Sequence, residues 1–176
     1  VLDVCAAPGG KTAQLLCGGA NVTAIDISNV RIRRLKENLD RLGLKAELIH
    51  ADIKKWTTSR SFDFIFLDAP CSATGTIRRN PDVLIHKTYE DVQKLSIVQM
   101  EILQKVSELV RPGGQLVYCT CSLQYEEGEA QVDRFLSKNT GFNRDPISLH
   151  EFGSVCDAIN VNGDLRLLPY HLNQNE

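Results

Sequence analysis

Short apolar runs and helix-period stretches alternate along the first 120 residues, and that alternation leaves few folds open. Val1 to Cys5, Val22 to Asp26, Ala46 to His50, Phe62 to Asp68 and Gln115 to Thr120 are rich in β-branched or aromatic side chains. Each ends in polar or turn residues, so they read as five strands. Between them, Lys11 to Leu16, Asn29 to Leu42 (Ile32, Leu35, Leu39, Leu42) and Tyr89 to Val110 (Leu95, Val98, Ile102, Val106, Leu109) read as helices. The pattern predicts an α/β domain with an open, mostly parallel sheet, helices on both faces and ligands beyond the carboxyl ends of the strands. Asp26, Asp68 and Cys121 fall at those ends, and Asp52 and Cys71 lie a few residues past one.

A chain of 176 residues buries a sizeable core, and neither a repeat nor a low-complexity tract divides it, so one compact domain spanning residues 1–176 is expected. No apolar run approaches the roughly 20 residues of a membrane span and no signal peptide is visible, which points to the cytoplasm and away from membranes. Six cysteines in such a chain are expected as reduced thiols. From His150 onward the pattern weakens, with Leu165 to Leu168 the one strand-like run. The start inside a strand at Val1 and the polar end Asn173 to Glu176 read as a fragment of a longer protein.

The segment Asp3-Val4-Cys5-Ala6-Ala7-Pro8-Gly9-Gly10-Lys11-Thr12 joins the first strand to the first helix. Gly9 and Gly10 permit positive φ and close approach of a ligand, and the helix start offers unpaired N–H groups. It is neither G-x-G-x-x-G nor a P-loop, which disfavours a dinucleotide oxidoreductase and an NTPase. Asp26 ends the second strand where a carboxylate accepts ribose hydroxyls, or else caps the next helix. Asp52 is a cap or an acceptor for an adenine amino group. Together these features favour a nucleoside cofactor.

Cys71, in Asp68-Ala69-Pro70-Cys71-Ser72, and Cys121, in Thr120-Cys121-Ser122, each follow a strand. If strands four and five are neighbours, the two loops emerge about 5 Å apart. A thiolate adds to an electron-poor ring carbon such as pyrimidine C6, and a second thiol assists proton removal or release. The plainer alternative is two small buried side chains, which is the expectation for Cys5, Cys17, Cys119 and Cys156. The net charge of −2 argues against a protein that holds nucleic acid by charge alone. Arg31, Arg33, Arg34 and Lys36 read as a solvated helix face, while Arg78 and Arg79 follow the Cys71 loop where a phosphate of a bound strand would lie. The pattern calls for no metal.

Val1 to Thr12, Asp68 to Thr76, Arg78-Arg79-Asn80-Pro81-Asp82 and Tyr118-Cys119-Thr120-Cys121-Ser122 together resemble the motifs of the RNA cytosine-C5 methyltransferases of the RsmB and NSUN type, over about residues 1 to 140. The resemblance implies a class I methyltransferase fold, Rossmann-like, that uses S-adenosyl-L-methionine and acts on RNA, ribosomal RNA foremost. Carried over by motif, Cys5, Ala6, Ala7, Pro8, Gly9, Gly10 and Lys11 wrap the cofactor, Asp26 takes its ribose, Asp52 its adenine side, and Asp68 lies near the methionine moiety or the target cytosine. Cys121 is then the nucleophile and Cys71 the release thiol. DNA cytosine-C5 enzymes attack instead from a Pro-Cys motif like that of Cys71. The family pattern has Trp soon after Pro-Asp, where this chain reads Val83-Leu84-Ile85, and it includes an upstream RNA-binding region and a final Gly-Phe-rich strand that these residues lack. A DNA cytosine-C5 methyltransferase and a catalytically silent RNA-binding domain are the competing functions. The oligomeric state is left open.

Overall fold

The structure is a computed structural model that describes residues 1–148, 158–168 and 171. It divides into two compact units, Val1–Gly128 and Glu129–Glu176. In chain order the first unit holds β1 (Leu2–Val4), α1 (Gly10–Cys17), β2 (Thr23–Asp26), α2 (Asn29–Leu42), β3 (Glu47–His50), β4 (Phe62–Asp68), α3 (Val83–His86), α4 (Tyr89–Ser107) and β5 (Val110–Cys119). The second begins with α5 (Glu129–Lys138).

The five strands form one sheet in the order β3-β2-β1-β4-β5, and every pairing is parallel. The chain winds outward from β1 to β3 and then returns to lay β4 on the other side of β1. The strand order therefore reverses between β1 and β4, and the loops after these two strands diverge around a crevice, the position where open α/β sheets bind ligands. Right-handed crossovers set α1 and α2 on one face and α4 on the other. Asp3, Ala24, Leu48 and Phe66 are in register across the first face. There Ala24 and Leu48 pack with Ala13, Leu35 and Leu39 in one apolar cluster. Tyr118, in register with Leu67 on the second face, bonds Gln99 of α4.

Local chemistry explains the elements. β1 is only three residues long, but Leu2, Asp3 and Val4 are all fully buried, as expected of the strand next to the switch point of a sheet covered on both faces. Ser28, not Asp26, caps α2: its side chain accepts from Arg31 N, and Gly43 ends the helix with φ 68°. Of the expected stripe on this helix Leu35 and Leu39 are buried, whereas Leu42 is exposed at the helix end. Thr88 and Asp91 close a reciprocal capping box on α4. The buried face of α4 is Val92, Ser96, Gln99, Ile102, Leu103 and Val106, turned from the expected Leu95 and Val98 because polar Gln99 and Ser96 face inward.

Three expectations are corrected. β5 starts at Val110, not Gln115: Val110 pairs with Phe62, and a register shift then restores pairing at Phe64 with Gln115. Gly114 permits the irregularity, since a Cβ there would stand 2.8 Å from the Asp63 carbonyl oxygen. Cys17 is exposed at the end of α1 rather than buried, and Cys156 lies outside the described residues. The other described cysteines, Cys5, Cys71, Cys119 and Cys121, are likewise free. Leu165 makes only an isolated antiparallel bridge with Ile159, so Leu165 to Leu168 is not a sheet strand.

Within the second unit Arg144 pairs with Asp133 and Asp164, Arg166 with Glu129, and Phe135 meets Phe142 edge-on at 5.3 Å. Among the described residues no helix is long and apolar enough to cross a membrane.

Leu35 is fully buried and meets Gly9 of the first loop as well as the α1–α2 cluster. Leu35→Ala is expected to cost about 2 to 5 kcal/mol in urea denaturation, and a loss below about 1 kcal/mol would show that the cluster closes over the gap.

Candidate active site

The loop after β1 is held on all sides by protein groups. Cys5 adopts φ 59°, Gly9 adopts φ 100°, and the Ala7-Pro8 peptide is cis. A Cβ on Gly9 would stand 2.9 Å from Leu35 Cγ, so glycine is required for the loop to lie against α2. A Cβ on Gly10 would meet nothing within 4 Å, which leaves open space over the first turn of α1. Asn38 donates to the Pro8 carbonyl at 2.9 Å, and Arg31 donates to the Ala7 carbonyl. Arg31 also lies 3.6 Å from Asp26, so this residue, half exposed on the solvated face expected for its cluster, also braces the loop.

Asp26 is buried, with Ala7 N donating to Oδ2 at 3.2 Å and Ser28 N to Oδ1 at 2.9 Å. It thus links the β1 loop to the β2–α2 turn, at the strand end predicted for it. Asp52 sits at the end of the neighbouring strand, accepting from Lys54 N on Oδ1 and from Lys55 and Trp56 N on its carbonyl, so it caps the turn after β3.

Across the crevice Lys11 Nζ meets Asp68 Oδ2 at 2.6 Å, joining the start of α1 to the end of β4. Burial works most strongly against the Lys11 charge, but the bond to Asp68 and the Asp68 charge together outweigh it and raise the pKa. Asp68 Oδ1 accepts from Cys119 Sγ at 3.5 Å; burial first, then the Asp68 charge, push that thiol up to about 12. Burial likewise raises Cys5 to about 12. Neither is a nucleophile at neutral pH. Beneath the loop, Thr12 Oγ1 donates to Asp3 Oδ2 at 2.6 Å, while Asp3 Oδ1 is buried with no partner among the described residues. Burial lifts Asp3 to about 6.

The two remaining thiols behave differently. Asp68 and Cys119 are in register on β4 and β5, and the loops that leave these strands bring Cys71 Sγ to 3.3 Å from Cys121 Sγ, a hydrogen-bonded contact and not a disulfide. Cys121 is the exposed member. The bond from Cys71 lowers the Cys121 pKa to about 7, against the opposing effect of partial burial, and Lys11 adds a small favourable charge. The same bond, with burial second, raises the pKa of Cys71, so Cys71 keeps its proton and donates it to a Cys121 thiolate.

Further bonds join the two thiol loops: Gly75 N donates to the Cys121 carbonyl at 2.9 Å, Ser72 Oγ lies 3.1 Å from Ser122 Oγ, and Leu123 N donates to Thr74 Oγ1 at 2.9 Å. A Cβ on Gly75 would stand 2.8 Å from the Cys121 carbonyl oxygen. Behind them Ser72, Gln99 and Glu127 are fully buried in one polar network. Of these only Ser72 stood within a sequence motif. Gln99 had a signal, a polar residue inside the α4 repeat; Glu127, one carboxylate among several in a loop, had none. Arg78 and Arg79 are exposed just beyond the Cys71 loop.

A family model described as 16S rRNA methyltransferase RsmB/F matches residues 1–176. The chain belongs to this family. Ribosomal RNA small subunit methyltransferase B of Klebsiella pneumoniae is 46% identical over 143 residues, which cover 78% of the chain and 33% of that protein. The protein of the same name from Shewanella oneidensis is 42% identical over 152 residues, 84% of the chain and 36% of the relative. The chain thus spans about a third of the length of the curated relatives it matches. Among solved structures, NSun6 from Pyrococcus horikoshii with SFG superposes with a TM-score of 0.72 at 37% identity, covering 78% of the chain and 36% of that one. A methyltransferase homolog protein from Pyrococcus horikoshii gives 0.64 at 38%, with 78% and 44% covered. The fold of the RsmB/F chain is accordingly the Rossmann-like methyltransferase fold.

Iodoacetamide should alkylate Cys121 with a pH midpoint near 7 by peptide mass spectrometry. In Cys71→Ala the midpoint should rise toward the ordinary thiol value of about 8.5, because the donor to the thiolate is gone. A midpoint that stays near 7 would assign the lowered value to Lys11 instead.

Proposed function

We propose that this chain is a catalytic domain that transfers a methyl group from S-adenosylmethionine to C5 of a cytosine in RNA, ribosomal RNA of the small subunit foremost, in the cytoplasm. The thiol pair carries the proposal: one cysteine ionised near neutrality, hydrogen-bonded to a second that stays protonated, at the carboxyl ends of adjacent strands. The family membership supports methylation and an RNA substrate.

The loop after β1 suits a nucleoside sulfonium. Open space above Gly10, the row of carboxylates Asp3, Asp26, Asp52 and Asp68, and the orphan Asp3 Oδ1 would meet its hydroxyls and its ammonium group. When bound, S-adenosylmethionine supplies an electrophilic methyl group. Cys5 to Lys11 would surround it, Asp26 would take the ribose and Asp52 the adenine side. Lys11 holds Asp68 in place at the crevice.

The Cys121 thiolate would form a bond to cytosine C6, and the C5–C6 π pair would move to C5, which becomes nucleophilic enough to take the methyl group as the methyl–sulfur bond breaks and a neutral thioether leaves. A base then removes the C5 proton, the C5–C6 double bond returns, and the bond from C6 to Cys121 Sγ breaks. Cys121 leaves as a thiolate into the hydrogen bond that Cys71 donates. The bond that lowers the nucleophile's pKa at the start is thus the one that favours its departure at the end. Arg78 and Arg79 stand ready for phosphates of the flanking strand.

Two tests follow. RNA carrying 5-fluorocytosine blocks proton loss from C5, so the full chain with S-adenosylmethionine should form a trapped protein–RNA adduct. Cys121→Ala should form none. Cys71→Ala should accumulate adduct on ordinary RNA, with turnover reduced about 10²- to 10⁴-fold; the opposite assignment of the two variants would move the chemistry to the DNA type, and no adduct at all would favour a silent RNA-binding domain. Asp26→Ala should weaken S-adenosylmethionine binding by about 1.5 to 3 kcal/mol, roughly ten- to a hundredfold, in calorimetry. Unchanged affinity would confine Asp26 to bracing Ala7 and Ser28.

A further inference from the structure

We propose that Glu127 is a positioning residue for the thiol pair, a buried carboxylate that clamps the backbone on one side of Cys71 while Gln99 holds the other. The proposal rests on the assignment of Cys121 and Cys71 as nucleophile and release thiol.

Glu127 ends a short 3₁₀ turn, Tyr125–Glu127, and is fully buried. An isolated carboxylate in that position is costly unless donors surround it. Three donors converge on it. Ser72 N reaches Oε1 at 2.9 Å and Oε2 at 3.3 Å, Ser72 Oγ donates to Oε2 at 2.5 Å, and Gln99 Nε2 donates to Oε1 at 2.9 Å. Gln99 Nε2 also donates to the Pro70 carbonyl at 2.9 Å, so the residues before and after Cys71 hang on the same pair of side chains. Tyr118 closes the set by donating its hydroxyl to the Glu127 carbonyl at 2.8 Å and to Gln99 Oε1 at 3.2 Å. Tyr118 lies on β5 three residues before Cys121, and Ser72 Oγ is 3.1 Å from Ser122 Oγ. The network therefore ties the Cys71 loop, the Cys121 loop and α4 to one carboxylate without touching either sulfur.

A side chain that only filled the core would make no hydrogen bond to either flank of Cys71. Here the contacts fall on residues 70 and 72 and skip the reactive residue between them. That pattern fixes the Cys71 backbone and leaves its Sγ free to face Cys121, where the 3.3 Å contact sets which thiol ionises.

The test uses Glu127→Gln and Ser72→Ala in the full chain, at a temperature where circular dichroism shows each folded. Glu127→Gln keeps the volume but presents an amide donor to donors. Ser72→Ala removes one hydroxyl and leaves the backbone N–H. The first readout needs no RNA: diamide, whose N=N bond takes up the two electrons and two protons released as two thiols join, closes a Cys71–Cys121 disulfide at a rate set by their alignment. That closure should slow about tenfold in Glu127→Gln and about threefold in Ser72→Ala, in line with the steep dependence of reaction rate on sub-ångström placement. The alkylation midpoint of Cys121 should rise in parallel.

The second readout is the adduct on ordinary RNA, which should accumulate in Glu127→Gln as it does in Cys71→Ala, with S-adenosylmethionine affinity unchanged. Closure and midpoint at the parent values in folded Glu127→Gln would overturn the proposal. If Glu127→Gln does not fold, parent behaviour in Ser72→Ala overturns it instead. Should closure slow as expected while the parent protein forms no adduct even with 5-fluorocytosine RNA, the positioning role stands and the proposed chemistry falls.

Discussion

Everything at the crevice depends on the parallel pairing of β4 with β5. Those strands run in register from Phe64 with Gln115 to Asp68 with Cys119, and each then releases a loop on the same side of the sheet. Parallel pairing puts both carboxyl ends together, which an antiparallel hairpin cannot do. A slip of one residue would turn Leu67 and Tyr118 to the wrong face and separate the loops. Tyr118 resists such a slip, because its hydroxyl is bonded to Gln99 and to the Glu127 carbonyl.

The crevice divides its work by depth. Deepest lies the apolar sheet core, with Leu2, Val4, Ile65 and Leu67 fully buried in the two central strands. The rim is polar and charged, with Lys11 and Asp68 joined across it and Cys121 open to solvent. Between them lie groups taken out of water at a cost, Asp3 above all, whose second oxygen has no donor among the described residues. Buried polar atoms are usually satisfied in folded proteins, and unsatisfied ones gather where a ligand completes the bonding.

Much of this was legible in the sequence because the signals were local. The five strands, the α2 and α4 helices and their assembly into an open parallel sheet followed from period and strand composition. So did the placement of Asp26, Asp68, Cys71 and Cys121, since a strand end is a position in the pattern. What was hidden depends on contacts between distant segments. The first part of β5, Arg111-Pro112-Gly113-Gly114, has turn composition and joins the sheet only through the irregularity opposite Phe62 and Phe64. Arg31 looked like one of four cations on a solvated helix until Ala7 and Asp26 were brought against it. Glu127 lies 55 residues from Ser72, and no local pattern announces such a bond. The helix α5 did have a signal, Val132, Phe135 and Leu136 at helical spacing, within a region where the strand pattern had already faded.

The sulfur contact between Cys71 and Cys121 spans 50 residues of sequence. In an unfolded chain each thiol would stand alone with an ordinary pKa, and neither would be distinguished from Cys17 or Cys119. The acidity of Cys121 is therefore a property of the tertiary structure and not of the cysteine alone, and it requires β4 and β5 to be paired. A molecule with its β4–β5 pairing open would carry the same cysteines with ordinary acidity, so at neutral pH Cys121 would meet an electrophile more slowly there than in the native fold.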